Sequence, residues 1–69
     1  VKLSARNQIA GTVQSIRADQ IMAEVTVALP GGQSLVSVIT AESVRNLGLQ
    51  QGSRVTVVIK STEVMLATD

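Results

Sequence analysis

The sequence predicts an all-β chain interrupted by one short helix. Three observations carry that expectation. Apolar residues recur with period two, not 3.6, through several separate segments. Glycine and proline fall between those segments, at Pro30-Gly31-Gly32, Gly48 and Gly52, rather than inside most of them. The composition, 45% hydrophobic and 16% charged, is too apolar for a disordered chain.

In Gln8 to Ala18 the residues Ile9, Gly11, Val13, Ser15 and Arg17 share one face of a first strand, and Ala10, Thr12, Gln14 and Ile16 share the other. Gly11 inside it predicts a bulge or sharp bend. After Asp19-Gln20, the second strand, Ile21 to Leu29, alternates most clearly, with Ile21, Ala23, Val25, Val27 and Leu29 on one face. Pro30-Gly31-Gly32 turns the chain, proline fixing φ and glycine allowing positive φ. The third strand, Ser34 to Thr40, has no distinctly polar face, because Leu35, Ser37 and Ile39 oppose Val36, Val38 and Thr40. A strand apolar on both faces must be covered on both.

The helix is expected over Ala41 to Leu47. Thr40 is its N-cap, Glu42 lies in its first turn, Val44 and Leu47 face inward, and Gly48 stops it. A turn at Leu49-Gln50-Gln51-Gly52 leads to a fourth strand, Ser53 to Lys60, and Glu63 to Ala67 offers a short fifth. Five strands with a helix between the third and fourth follow the order of an OB-like five-stranded Greek-key barrel. A swapped or open sandwich is the alternative.

Sixty-nine residues form a single domain, 1-69. A chain this short buries only about 60% of its unfolded surface, so it needs further support. Disulfides and His or Cys metal sites are excluded, since both residue types are absent. Homo-oligomerisation remains, and it agrees with the apolar composition. No segment reaches the roughly 20 apolar residues that span a membrane, and Val1-Lys2-Leu3-Ser4-Ala5-Arg6 has no apolar signal core. The expected location is the cytoplasm, with no membrane partner.

Catalysis is not expected. Histidine and cysteine chemistry is excluded by composition, and the five carboxylates, Asp19, Glu24, Glu42, Glu63 and Asp69, have no recurring spacing. Nucleic acid is not expected either. A barrel that binds single strands uses aromatic platforms and a basic groove, and this chain has no Phe, Tyr or Trp and a net charge of +1.

Anion binding fits better. Ser4-Ala5-Arg6-Asn7-Gln8 and Lys60-Ser61-Thr62 each set one cation beside small hydroxyl or amide residues. Arg6 offers a planar fork of donors, Lys60 a compact charge, and Ser4, Thr40, Ser43, Ser61 and Thr62 one hydroxyl each. Backbone N-H groups around Ala5 and Ser61, and at the helix start after Thr40, can also face an anion. Taken singly, each residue reads as ordinary surface, turn or cap. Composition and spacing do not decide between the two readings.

Together with Ile39-Thr40-Ala41-Glu42-Ser43-Val44 and Lys60-Ser61-Thr62-Glu63-Val64-Met65, the S-A-R-N opening resembles the molbindins, the small Mop-type molybdate-binding proteins of TOBE-like fold. The resemblance spans essentially the whole chain. It implies an OB-like barrel assembled as a hexamer, a trimer of dimers, that holds molybdate or tungstate at subunit interfaces for storage or buffering. It also implies an alternative, an oxyanion-sensing regulatory module of a transcription regulator or transporter ATPase. The ligand positions it implies are Ser4, Ala5, Arg6, Thr40, Ser43, Lys60 and Ser61. The metal arrives inside its oxyanion, with no direct protein-metal bond and no separate cofactor.

Overall fold

The computed structural model describes residues 2–69. Four strands form one antiparallel sheet: β1 Asn7–Ala18, β2 Met22–Ala28, β3 Ser34–Thr40 and β4 Arg54–Ile59. Their order across the sheet is β3-β2-β1-β4, and the sheet curls around a small core. One helix, α1 Ala41–Leu47, follows β3, and a 3-10 turn, Ser61–Glu63, follows β4.

β1 is the spine. Its N-terminal half pairs with β4, from Asn7 opposite Ile59 to Thr12 opposite Arg54, and its C-terminal half pairs with β2, from Thr12 opposite Ala28 to Ala18 opposite Ala23. The register slips between Val13 and Ser15, so the extra residue is Gln14. The bulge lies there and not at Gly11. It has a consequence for the faces: strict alternation puts Ile16 opposite Val13, but the inserted residue returns Ile16 to the core side, where it packs against Val13, Val25 and Val27.

Gly11 is required for a different reason. A Cβ built there would lie 2.5 Å from Val27 Cγ1, 3.0 Å from the Ala28 carbonyl oxygen and 3.3 Å from Leu29 Cδ2. The end of β2 passes so close to β1 that only a residue without a side chain fits.

The helix follows its sequence signals. Thr40 Oγ1 accepts from the Ser43 N-H at 3.0 Å, and the Gly48 N-H donates to the Arg45 carbonyl at 3.0 Å. Gly48 has φ 65°, a left-handed conformation that glycine adopts without strain. Ala41 is buried and Val44 packs on the core, but Leu47 is 69% exposed, contrary to the inward face expected for it. The core lies against Ala41 and Val44, and Leu47, the last residue of the helix, stands beyond its edge. Ile21 is likewise 72% exposed, because β2 begins one residue later and the Asp19 carboxylate holds the Ile21 and Met22 N-H groups in a turn, both at 2.8 Å.

The fully buried hydrophobics are Val13, Ala23, Val25, Val27 and Ala41, with no buried polar residue among the described residues. The fold is thus mostly β with one short helix. The expected fifth strand, Glu63 to Ala67, is not formed: Val64 onward has no sheet pairing, and Met65 and Leu66 are 91% and 92% exposed. A strand needs an edge to pair with, and the 3-10 turn carries this segment off the end of β4. The sheet of the single chain is four-stranded and open, and both β3 and β4 keep one unpaired edge. Val36 and Val38, expected to be covered, are 60% and 62% exposed on β3.

Candidate functional site

The two basic segments, 54 positions apart in sequence, meet at one end of the sheet. Asn7 opposite Ile59 is the last pair of the β1–β4 ladder, so Arg6 and Lys60 are the residues that leave it on either strand. The Asn7 side-chain amide ties the end closed by donating to the Ile59 carbonyl at 3.3 Å. Gln8 Nε2 donates to the Ala5 carbonyl at 2.8 Å and fixes the bend that precedes β1. The amides of Asn7 and Gln8 therefore position the Ser4-Ala5-Arg6 and Lys60-Ser61 backbones. Sequence reading placed both residues in the motif without assigning that task, which depends on the register with β4.

Arg6, Lys60, Ser4 and Ser61 are exposed and Ala5 is half-buried. Among the described residues the one ion pair is Arg17 with Glu24, at 4.0 Å on the exposed part of β1 and β2. Arg6 and Lys60 thus have no carboxylate within that distance, and their charges are uncommitted. Placing two like charges at one strand end is unfavourable without a counter-charge. The N-H of Ala5 also has no acceptor among the described residues.

Thr40 and Ser43 lie elsewhere. Thr40 pairs with Met22, next to the pair of Ala23 with Ala18 at the far end of β1. Twelve residues of β1 separate that end from Arg6, about 40 Å for a straight strand, in a molecule whose longest extent is 37 Å. One chain therefore gathers Ser4, Ala5, Arg6, Lys60 and Ser61 but does not bring Thr40 and Ser43 to them.

The helix start is also less available than its sequence suggests. The Ala41 N-H donates to the Ile21 carbonyl at 2.8 Å, and the Ser43 N-H is held by Thr40. Thr40 gives its hydroxyl hydrogen to Ser43 Oγ at 2.8 Å, which leaves the Ser43 hydroxyl as the free donor of the pair.

A groove of about 670 Å³ that lies over Gly11, Thr12, Leu29, Pro30, Arg54 and Thr56 takes none of the seven residues. The charge arrangement is the better guide to an anion than the open volume, since a small dianion needs converging donors and not a large cleft. Among the described residues no group of three or more His, Cys, Asp or Glu side chains comes together that could hold a metal ion. No helix is long and apolar enough to cross a membrane among the described residues.

The sequence matches the TOBE domain over residues 3–66. The chain belongs to the TOBE domain family. Within the family it is similar to molybdenum-pterin-binding protein 1 of Clostridium pasteurianum, 42% identical over 66 residues that cover 96% of this chain and 97% of that protein. A solved molybdate-binding protein from Sporomusa ovata superposes with a TM-score of 0.92 at 35% identity, covering 99% of this TOBE chain and 100% of that one. The TOBE fold also matches part of a longer protein, the molybdenum transport protein ModE of Azotobacter vinelandii. That match is 45% identical over 67 residues, 97% of this chain and 25% of ModE.

Proposed function

We propose that this TOBE domain binds molybdate or tungstate as the intact oxyanion, without catalysis, and serves to store or buffer it in the cytoplasm. The single observation that carries the reading is the pair of uncommitted cations, Arg6 and Lys60, flanking the last rung of the β1–β4 ladder. Two positive charges match one tetrahedral dianion, and charge-assisted hydrogen bonds hold it without any protein-metal bond. Arg6 supplies a planar fork and Lys60 a rotatable ammonium. The hydroxyls of Ser4 and Ser61 and the Ala5 N-H complete the near half of the shell. The names of the full-length relatives, which refer to molybdenum and molybdate, support the choice of anion.

Thr40 and Ser43 belong to the site in this reading only if a second copy brings them, since the single chain keeps them at the far end of the sheet. The site is accordingly placed at an interface between copies, within a hexamer built as a trimer of dimers, in which each sheet is closed to a five-stranded barrel. The small buried core and the exposed Val36, Val38, Met65 and Leu66 support assembly.

A second reading, an oxyanion-sensing module within a larger regulator or transporter, is favoured by the ModE match, where the same fold is a quarter of the chain. Intact mass of the protein from its native source separates the two.

Isothermal calorimetry tests the site. Arg6→Ala and Lys60→Ala each remove a charged partner worth about 1.5–3 kcal/mol, so molybdate affinity should fall about ten- to a hundredfold in each. Both residues are exposed, so thermal stability without ligand should change by no more than about 0.5 kcal/mol. Sulfate, a smaller tetrahedron, should bind more weakly than either metal oxyanion. Full affinity in both variants would remove the site assignment, and sulfate binding as tightly as molybdate would remove the choice of anion.

A further inference from the structure

We propose that Gln8 is a positioning residue for the anion site: its side-chain amide latches the arm that carries Ser4, Ala5 and Arg6, and the latched arm sets which tetrahedral anion fits. The inference rests on the oxyanion reading above and names the residue that tunes affinity and selectivity at that site.

Residues 2–6 form no helix or strand, and the chain bends at Ser4 and again at Arg6 before it enters β1. No backbone hydrogen bond joins this arm to another described residue. Packing holds it little better, since Leu3 is 49% exposed and only Ala5 is half-buried. Among the described residues, one hydrogen bond reaches the arm: Gln8 Nε2 donates to the Ala5 carbonyl at 2.8 Å.

Gln8 can hold the arm because its own backbone is fixed. It pairs with Val58 in the β1–β4 ladder, one rung inside Asn7 and Ile59. From that rung its amide reaches back to the carbonyl of the planar Ala5–Arg6 peptide, so a single bond orients the arm at Ala5 and the root of the Arg6 side chain together. Asn7 does not share the task, because its amide points across the ladder to the Ile59 carbonyl.

Charge makes the latch necessary. Arg6 and Lys60 leave the last rung side by side, where like charges repel until an anion arrives. A free arm would carry Arg6 away from Lys60, whereas a latched one keeps both at the same strand end, so less ordering remains to be done on binding. A fixed arm also fixes the spacing of its donors. The larger tetrahedra, molybdate and tungstate, then keep contacts that sulfate loses, and a loose arm would close on sulfate as readily.

Calorimetry with molybdate and with sulfate, on the full parent chain and on Gln8→Met, tests the proposal. Methionine keeps the length of the side chain and loses the donor. Loss of this one neutral hydrogen bond should weaken molybdate about two- to tenfold, weaken sulfate less, and so lower the preference for molybdate. Backbone NMR order parameters of Ala5 and Arg6 without ligand should fall from the rigid value of about 0.85 toward about 0.6. Gln8→Lys, which restores a donor of similar reach, should return them to the rigid value. Gln8 is exposed, so Tm should stay unchanged in both variants; if Gln8→Met fails to fold, Gln8→Ala is read by the same two measurements. A preference for molybdate over sulfate equal to that of the parent, or order parameters unchanged by loss of the donor, overturns the latch while leaving the oxyanion reading in place. A parent chain that binds neither molybdate nor tungstate removes that reading and the latch with it.

Discussion

Substituting Gly11 by alanine adds one methyl group at the tightest glycine of the sheet. The new Cβ would stand 2.5 Å from Val27 Cγ1 and 3.0 Å from the Ala28 carbonyl oxygen. Carbon atoms in favourable contact lie about 3.5–4.0 Å apart, so a shift of at least 1 Å is forced. Neither neighbour moves freely. Val27 is 4% exposed within the Val13–Val25–Val27 cluster, and Ala28 is held in the β1–β2 ladder opposite Thr12. Overpacking of this kind costs about 1–3 kcal/mol, and a buried neighbour together with backbone places this case near the upper end. Alanine recovers about 0.5–1 kcal/mol of backbone entropy relative to glycine. The net loss is about 2 kcal/mol, which at 4–8 °C per kcal/mol for a domain of this size lowers Tm by about 10 °C. Urea melts at one fixed protein concentration measure it, because assembly makes apparent stability concentration-dependent. The double variant Gly11→Ala with Val27→Ala provides the internal check: shortening Val27 removes the 2.5 Å clash, so its cost should fall short of the two single costs combined by about 0.5–3 kcal/mol. A Gly11→Ala chain within about 0.5 kcal/mol of the parent, or strict additivity in the double variant, would refute the close-approach account and return Gly11 to an ordinary strand position.

Three further outcomes follow from local geometry. Thr40→Ala removes the acceptor for the Ser43 N-H and should cost about 1 kcal/mol in a urea melt, whereas Thr40→Ser should retain most of it. Gly48→Ala places a Cβ in open space but on a backbone with φ 65°, so the loss is conformational, about 1–2 kcal/mol, and Gly48→Asn should lose less. The Asp19 carboxyl is held below its ordinary value, first by the Met22 N-H and then by the Ile21 N-H. A lowered folded value means that its contribution is complete above the unfolded aspartate value of about 3.9 and is lost as pH falls through the lower folded value. Asp19→Asn should flatten that part of the acid stability profile, as read from thermal melts at a series of pH values.

The strands, the helix and the turns were legible because local rules set them. Period-two alternation marks the faces of Ala23, Val25 and Val27, and Thr40 and Gly48 bracket α1 with residues that can make its caps. The faces of β1 were legible only up to Val13. A bulge at Gln14 depends on what β2 offers opposite it, so alternation placed Ile16 on the wrong side. The fifth strand expected over Glu63 to Ala67 is not formed within the single chain: the segment has the pattern of a strand, but the 3-10 turn carries it off the end of β4 and away from the open edges of its own sheet. Of the candidate site, the residue types were visible, and their grouping was not.

By itself the sequence determined which segments can be strands, where the helix starts and stops, and that no imidazole, thiol or aromatic group is present to meet a ligand. Those are properties of short stretches, governed by side-chain period, capping and composition. Only the tertiary structure decided that Arg6 and Lys60 stand at one strand end while Thr40 and Ser43 stand at the other, that Gly11 clears a path for β2, and that the last residues find no place in their own sheet. Each of these turns on strand register, a relation between segments up to 52 residues apart, which no local pattern encodes.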